Sequence, residues 1–485
     1  MPGIRLIQIC LILILLLCIG CSQQDAGKMP ITTNSDQAKA HFLKGRELFD
    51  KLRLQESLEH FEKAIAEDSD FGMAYFYFSQ AQPTAKGFFE QLDNALLCVD
   101  KISEAESNLI LGLQAAVNGN PMLQREYYQK NVDAFPTDER MLTLLATNYF
   151  GQQEYQNAVD LYNKAVEINS DFSPAYNQLG YANRFLEKFD DAELAFKKYT
   201  ELIPDDPNPY DSYAELLMKV GIYEESIDQY QAALKINPNF VASHIGIATN
   251  LNFLDKHAEA REECQKLFDI ARNDGEKRAA LFAMAVSYMD EGDNKNAIKN
   301  IEGQYALAEQ INDAANKAAD LNVIGNIYFE CENCPAAKGR YDLAIKTIRE
   351  SNLSEKVKAN AEMNYLNNEA LIAMQDGDFK TAKIKAAEYW EKAIANNNPT
   401  QKRICNGTKA RIAMAEKDYD TALKFFNDAN LQNPYNLYRM AVCYDMKKDN
   451  VNAKIYCDKA VNFNALNSMN YAFCRTKSEE MFEKL

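Results

Sequence analysis

The hydrophobic pattern of residues 139–274 repeats every 34 residues. One position of each repeat holds a small residue, and a larger apolar residue follows four positions later. The small residues are Ala158, Ala192, Ser226 and Ala260, and the larger ones are Tyr162, Phe196, Tyr230 and Cys264. Residues four apart share one face of a helix, and a small residue beside a large one lets two helices pack closely. The pattern therefore predicts a series of antiparallel helix pairs.

The period and its residues resemble the tetratricopeptide repeat, whose pattern sets small and aromatic residues in the first helix and Ala, Phe or Tyr, Ala and Pro in the second. The unit that starts at Glu139 matches this pattern at Ala146, Tyr149, Ala158, Tyr162 and Ala165. The next unit matches it at Gly180, Ala192, Phe196 and Pro204. The resemblance implies an all-α fold, a right-handed α-solenoid of about eleven or twelve helix pairs whose first helices line the concave side.

Less regular units extend to both sides of this region. Residues 37–138 keep only part of the signature, and beyond residue 275 most of the small residues lie farther apart. We therefore expect degenerate units over residues 37–138 and regular 34-residue units over residues 139–274. Longer, irregular units and a capping helix are expected over residues 275–485.

The first 20 residues carry one Arg and about 14 mostly apolar residues, a stretch shorter than the roughly 20 residues of a membrane-spanning helix. Ile19, Gly20 and Cys21 resemble the lipobox of a bacterial lipoprotein signal. The resemblance implies a signal peptide over residues 1–20, lipidation of Cys21 and, with Ser22, an outer-membrane location in the cell envelope. An uncleaved anchor and an ordinary secretory signal are the alternatives. Residues 21–36 lack apolar periodicity, which predicts a flexible tether.

The formal net charge is −17, and no stretch of the sequence concentrates Lys or Arg. Nucleic-acid binding requires clustered basic residues that displace counterions from phosphates. We therefore expect no nucleic-acid partner.

Cys331 and Cys334 fall on the turn between the two helices of one unit. Two thiols supply only half of a tetrahedral zinc site, and the nearest histidine, His257, is 74 residues away. Two interpretations stay open. An exported protein could close the pair as a structural disulfide. Alternatively, the thiols only pack, since other units hold aromatic residues at the position of Cys334.

The sequence has no Gly-rich phosphate loop, no nucleophile elbow and no histidines at metal-ligand spacing. We therefore expect no enzyme activity, no catalytic or metal site and no cofactor. The resemblance implies instead that a protein or peptide binds the concave groove. The positions that contact such ligands correspond here to Arg140, Phe150, Asn177, Tyr181, Arg184, Phe185, Asp211, Glu215, Lys219, Asn252 and Phe253.

These observations predict a membrane-anchored scaffold that mediates protein–protein or peptide interaction in the bacterial cell envelope, in an envelope or secretion assembly. The alternative is an envelope lipoprotein that binds a small ligand, such as a glycan or peptide, for uptake. An accessory enzyme domain would need a long non-repeat segment, and none is visible.

Overall fold

The computed structural model describes residues 27–485, so the predicted signal peptide and Cys21 lie outside the described residues. The first six helices are α1 Asp36–Asp50, α2 Leu54–Glu67, α3 Gly72–Ala81, α4 Ala85–Leu96, α5 Glu104–Val117 and α6 Pro121–Ala134. The next eight helices are α7 Glu139–Gly151, α8 Tyr155–Ile168, α9 Ser173–Phe185, α10 Phe189–Leu202, α11 Pro207–Lys219, α12 Tyr223–Ile236, α13 Val241–Phe253 and α14 His257–Ile270.

The remaining helices complete the chain. They are α15 Asp274–Asp290, α16 Asn294–Gln310, α17 Ala314–Glu330, α18 Cys334–Arg349, α19 Glu355–Gln375, α20 Phe379–Ala395, α21 Pro399–Ala415, α22 Tyr419–Asn427, α23 Pro434–Met446, α24 Asn450–Val461, α25 Met469–Ala472 and α26 Arg475–Lys484. Consecutive helices from α1 to α24 form twelve pairs, from pair 1 (α1 and α2) to pair 12 (α23 and α24). The described part of the chain contains no β-strand, and the predicted all-α solenoid is confirmed.

The two helices of a pair approach closely where the repeat places a small residue against an aromatic one. A Cβ atom added at Gly180 in α9 would lie 2.5 Å from Cε1 of Phe196 in α10. Phe196 is fully buried, as are Ala158 and Tyr162 in pair 4. The core is therefore built from the positions that the 34-residue pattern singles out.

A tight turn with one residue in the left-handed conformation ends the first helix of most pairs. Gln153 has φ 65° and Gly221 has φ 83° in two such turns. The reversal lets a later backbone N–H group bond to a carbonyl of the last helical turn, as Glu154 N–H does to Tyr149 O at 3.0 Å. The turn then leads directly into the second helix.

The helices of pairs 8 to 10 are longer than those of the regular region. α7 has 13 residues and α8 has 14. In contrast, α15 and α16 each have 17 residues and α19 has 21. The wider spacing of the small residues in the sequence thus corresponds to longer helices, both first and second, in these pairs.

The solenoid closes on itself so that pairs 1 to 4 contact pairs 8 to 12. We call pairs 1–7 the first superhelical turn and pairs 8–12 the second. Polar contacts form the seam between them, and four of these each join a turn or the start of a second helix in an early pair to a loop or cap seven or eight pairs later. These four contacts are Asn273 Nδ2 to Gln55 Oε1 (2.7 Å), Lys86 N–H to Asp313 Oδ2 (3.0 Å), Asn398 Nδ2 to Gly119 O (2.7 Å) and Gln153 Nε2 to Asn430 Oδ1 (2.8 Å).

Part of the predicted tether is bound to the solenoid. Met29 N–H donates to Asp138 Oδ2 at 2.8 Å, and Thr32 N–H donates to Glu106 Oε1 at 2.8 Å. Thr33 Oγ1 donates to Asp68 Oδ2 at 2.5 Å. These carboxylates lie at successive inter-pair loops or helix starts. Residues 28–34 therefore run along one edge of pairs 2 to 4, rather than forming the flexible tether expected from their composition.

Candidate functional site

The eleven predicted groove residues lie on four successive first helices. Arg140 and Phe150 lie in α7, and four more residues lie in α9, namely Asn177, Tyr181, Arg184 and Phe185. α11 carries Asp211, Glu215 and Lys219, and α13 carries Asn252 and Phe253. The structure therefore brings them together along the lumen of the solenoid.

Several of these side chains bond to one another. Arg184 Nη1 lies 2.7 Å from Glu215 Oε1, and Tyr181 Oη donates to Glu215 Oε2 at 2.9 Å. Asn177 accepts a hydrogen bond of 2.9 Å from Ser212 Oγ. Arg184 is only 9% exposed. The predicted charged residues of pairs 5 and 6 thus form an internal network, and truncating them would leave buried charges without partners.

Arg140 is also engaged within the protein. Its Nη1 and Nη2 atoms donate to Asp50 Oδ1 and Oδ2 at 3.1 and 2.7 Å. The guanidinium carbon lies 5.0 Å from the centre of the Phe172 ring. This fork joins pair 1 to pair 4, so Arg140 has a structural role that the repeat positions did not indicate.

Two of the predicted aromatic residues, Phe150 and Phe185, form one cluster with Tyr155. The rings of Phe150 and Phe185 are 5.3 Å apart. Tyr155 stacks on Phe185 at 5.0 Å with an angle of 11° between the ring planes, and it meets Phe150 edge-on at 5.3 Å. Phe150 and Phe185 remain half-buried. The cluster therefore gives the lumen a rigid aromatic surface.

A cavity of about 1230 Å³ lies between the first superhelical turn and pair 12. Its wall from the first turn includes Arg184, Phe185, Glu187, Glu215, Lys219 and Tyr223. Its opposite wall includes Leu431, Leu437, Tyr456, Asp458, Lys459 and Phe463. Four predicted groove residues thus meet residues that lie more than 200 positions later in the chain. Sequence reasoning missed this second wall because the repeat pattern describes neighbouring units only.

Lys219, a cation of this cavity, bonds to the main chain of the C-terminal segment. Its Nζ donates to Phe463 O at 2.5 Å and lies 4.3 Å from the centre of the Phe463 ring. Burial, with a further contribution from the Arg184 charge, lowers the pKa of Lys219 to about 8. Lys219 therefore titrates at a pH of about 8, next to the main chain of the C-terminal segment.

Asp211 lies deeper in the wall of the lumen. It is buried and accepts a hydrogen bond of 2.7 Å from Ser243 Oγ. Burial raises the pKa of Asp211 to about 7, and the nearby Glu215 charge acts in the same direction. Asp211 is thus inaccessible to a ligand in this conformation of the lumen.

The last two predicted groove residues are covered by the chain itself. The Phe253 ring contacts Tyr471 edge-on at 5.6 Å. Asn252 accepts a hydrogen bond of 2.7 Å from Ser287 Oγ through its side chain, and its backbone carbonyl accepts one of 3.3 Å from Arg475 Nη2. Residues 463–475, which we call the C-terminal plug, therefore occupy the lumen at pairs 7 to 9. The aromatic residues of the plug are a sequence feature that indicates an apolar contact. The repeat pattern, however, assigns no contact to these positions.

Cys331 and Cys334 are free thiols in the structure. Cys331 is exposed at the end of α17, whereas Cys334 begins α18 and packs with Leu371 and Ile372. Burial raises the pKa of both thiols. The structure thus has no disulfide between Cys331 and Cys334. Cys334 instead fills the apolar position that aromatic residues occupy in other units.

No group of three or more His, Cys, Asp or Glu residues in the described range 27–485 could hold a metal ion. Nor does any described helix combine the length and apolar character that crossing a bilayer requires. The candidate site is therefore the lumen, with an open section at pairs 4 to 6 and a plugged section at pairs 7 to 9.

Two stretches of the chain, residues 139–172 and 173–206, match the family model of the tetratricopeptide repeat. A crystal structure of a tetratricopeptide repeat protein from Parabacteroides merdae ATCC 43184 covers 56% of this chain and 94% of its own, with 15% sequence identity and a TM-score of 0.37. The family match confirms the repeats in these stretches.

Curated relatives match parts of the chain. Anaphase-promoting complex subunit cut9 of Schizosaccharomyces pombe is 25% identical over 196 residues, which are 39% of this chain and 29% of cut9. Anaphase-promoting complex subunit 3 of the same yeast is 23% identical over 207 residues, 41% of this chain and 30% of that protein. A UDP-N-acetylglucosamine–peptide N-acetylglucosaminyltransferase of Giardia intestinalis is 25% identical over 100 residues, 21% and 7% of the two chains. The chain thus spans less than a third of each relative.

Proposed function

We propose that this tetratricopeptide-repeat solenoid is a scaffold of the cell envelope that binds a segment of a partner protein in the open section of its lumen. The repeats support a binding role, because tetratricopeptide repeats mediate protein–protein interaction. The observation that carries the proposal is the cavity of about 1230 Å³ between pairs 5, 6 and 12. Two of the curated relatives are subunits of a protein complex, in keeping with a scaffold.

The walls of the cavity suit an apolar side chain of the partner, placed at the centre of the cavity. Phe185 and Leu431 approach from opposite superhelical turns, and Leu431 is 36% exposed. Arg184 lies under the Phe185 ring, 5.1 Å from its centre, and is neutralised by Glu215. Aromatic residues beside arginine in a desolvated pocket are the combination that dominates binding energy at protein interfaces. We assign the anchor of the partner segment to the space between Phe185 and Leu431.

The envelope part of the proposal rests on the leader. A lipidated Cys21 precedes Gly27 by six residues, which span at most roughly 20 Å when fully extended. Lys28 bonds to Thr137 O at 2.8 Å, next to the start of α7. The edge of pairs 2 to 4 that binds residues 28–34 would then face the membrane, with the lumen beside the bilayer. Two or more acyl chains suffice for stable attachment.

Anchoring is tested separately from binding. The wild-type protein and a Cys21→Ser variant are expressed with an alkyne-labelled fatty acid, and the membrane and soluble fractions are compared. We expect label and membrane retention in the wild type only. Equal membrane retention of an unlabelled Cys21→Ser protein would show that the leader anchors the chain in another way.

Partner binding is tested by crosslinking the protein in its native envelope, purifying it and identifying captured proteins by mass spectrometry. The test variant is Phe185→Ala with Leu431→Ala, which removes one side chain from each wall. The control is Leu194→Ala with Val451→Ala, because these apolar residues are 66% and 72% exposed outside this cavity. The proposal expects a partner that the wild type and the control capture and the test variant loses. A partner lost only in the control would place binding on the outer surface.

The cavity also leaves room for the alternative of a small ligand, since its volume exceeds the roughly 300–1,000 Å³ of sites for drug-sized molecules. Tyr456 and Phe463 line it beside Asp458, a mixture that fits a glycan or a short peptide. Binding of free glycans to the purified protein, together with no captured protein, would select this uptake function over the scaffold.

A further inference from the structure

The C-terminal plug enters the lumen as a loop between two fixed helices. α24 ends at Val461, and α26 packs back on α24, where Cys457 Sγ lies 3.1 Å from Ser478 O. Between them the chain is irregular apart from the four residues of α25. Asn464 and Asn467 have φ values of 47° and 45°, so the loop makes two sharp reversals. Arg475 is the first residue of α26, so release of the whole plug also requires the first turn of α26 to leave Asp290.

The first part of the plug is held through its main chain and one amide. Lys219 Nζ donates to Phe463 O, and Tyr223 Oη donates to Asn464 Oδ1 at 2.8 Å. Asn464 Nδ2 donates to Lys219 O at 3.2 Å. These bonds fix the start of the plug beside the turn that joins α11 to α12.

The middle of the plug fills the lumen with aromatic side chains. Tyr471 and Phe473 are buried together with Ile324 and Ile327 of α17. The Phe253 ring meets Tyr471 at 5.6 Å, and the two surfaces form one apolar cluster. These groove residues belong to first helices, the same elements that form the open section.

The end of the plug is held by a carboxylate fork. Arg475 Nε and Nη2 donate to Asp290 Oδ1 and Oδ2 at 2.9 and 2.7 Å. Arg475 Nη2 also donates to Asp255 Oδ1 at 3.1 Å and to Asn252 O at 3.3 Å. A planar guanidinium fits this arrangement of two carboxylates and a carbonyl, whereas a lysine offers only a point charge.

We propose that the lumen at pairs 7 to 9 is a recognition site for a short helical segment with two aromatic residues followed by an arginine, and that the C-terminal plug occupies this site in cis. A partner protein that carries such a segment binds by displacing the plug. The plug itself supplies the template, because Tyr471, Phe473 and Arg475 fill three contiguous parts of the site. This inference goes beyond the proposed function, and it is linked to it because Phe463 and Asn464 of the plug also line the cavity of the open section.

The test uses a fluorescent synthetic peptide with the sequence of residues 462–476. Its binding to the full chain is followed by fluorescence anisotropy. The cis-weakened variant is Tyr471→Ala with Phe473→Ala and Arg475→Ala, which leaves the groove residues in place. We expect this variant to bind the peptide at least about tenfold more tightly than the wild type does. The control variant Val451→Ala, changed at an exposed residue of α24, should bind the peptide as the wild type does.

Two further comparisons establish that the same site is used. Adding Asp290→Asn to the cis-weakened variant should reduce its affinity for the peptide by about tenfold, because the fork is lost. A peptide in which alanine replaces the arginine should lose affinity for the cis-weakened variant to a similar extent. Equal peptide binding by the wild type and a folded cis-weakened variant would overturn the proposal.

A measurement on the wild type covers the case in which the triple variant does not fold. Amide hydrogen exchange of residues 463–475 is compared with that of α24, with and without excess unlabelled peptide. The proposal expects several-fold faster exchange in the plug alone when the peptide is present. No change would contradict it. A concentration-dependent dimer of the wild type that exchanges plugs would identify the ligand as a second copy of this chain, and would overturn the assignment to a partner protein.

Discussion

Arg475 and Asp290 lie 185 residues apart in the sequence and are joined by two parallel hydrogen bonds across the lumen. Both side chains are buried, at 7% and 5% exposure. Burial alone would raise the pKa of Asp290, but the bonds from His257 and Arg475 outweigh it and hold the pKa below its ordinary value. The pair links the loop after pair 12 to the end of α15, so it ties the second superhelical turn into one body.

The first prediction concerns this buried pair. Arg475→Ala leaves the Asp290 carboxylate without its fork, so the free energy of unfolding should fall by about 3–5 kcal/mol. The double variant with Asp290→Ala should lose less than the sum of the two single variants, because the second change removes the stranded charge. Urea denaturation of the four proteins gives the coupling energy. Additive losses would mean that the two side chains do not interact in solution.

The second prediction concerns the close approach of helices in pair 5. In Gly180→Ala the new methyl group meets the buried Phe196 ring, and we expect overpacking to cost about 1–3 kcal/mol. This exceeds the roughly 1 kcal/mol that alanine gains over glycine inside a helix. Gly339→Ala in α18 is the matched control, since its methyl group meets nothing within 4 Å. Denaturation midpoints should move in opposite directions, and a stabilised Gly180→Ala protein would refute the packing.

The third prediction concerns the pH dependence of stability. Burial raises the pKa of Asp211 to about 7, above the value of about 3.9 in an unfolded chain. The folded state therefore binds this proton more tightly. Its contribution to stability is complete below pH of about 4 and is lost as the pH rises through about 7.

Asp211→Asn carries no charge at any pH and keeps an oxygen for the Ser243 hydroxyl. Relative to the wild type, it should gain roughly 2 kcal/mol of stability between pH 5.5 and pH 8. Urea denaturation of both proteins at these two pH values measures the change. A difference that stays constant with pH would show that Asp211 is already ionised in the folded protein.

The fourth prediction concerns the seam between superhelical turns. Replacing Gln55 and Gln153 by alanine removes the side-chain bonds of two seam contacts, each worth about 0.5–1.5 kcal/mol. The helix pairs do not depend on these bonds. We therefore expect unchanged helical content by circular dichroism but a larger radius of gyration by small-angle X-ray scattering. An unchanged radius would mean that the remaining contacts, among them that of Lys86 with Asp313 and those of the C-terminal plug, hold the turns together.

Much of the fold follows from local pattern. Ala158 and Tyr162 mark a helix pair because their spacing reports contacts between neighbouring helices, and the structure buries both. The contact of Gln153 with Asn430 spans 277 residues and joins two ordinary polar side chains. No periodicity marks such a contact, so the closure of the solenoid could not be predicted from the sequence.

In the candidate site, too, the sequence predicts the local placement of residues but not their long-range contacts. The resemblance placed Lys219 and Phe253 on first helices, where the structure has them. It could not indicate that residues 463–475 of the same chain cover them, because that segment follows the last repeat and has no repeat position. The resemblance places Arg184 at a position that contacts ligands, yet Glu215 holds it inside the wall. Composition gives the type of a side chain, whereas its partners depend on the packing of successive pairs.

The central claim, that a partner protein enters the open section of the lumen, is tested most directly by photocrosslinking in cells. A photoreactive benzoylphenylalanine replaces Phe185 in one strain and the exposed Leu194 in another. The account predicts a discrete crosslinked species from position 185 and none from position 194. A crosslink from position 194 alone, or the same species from both positions, would contradict binding in the lumen.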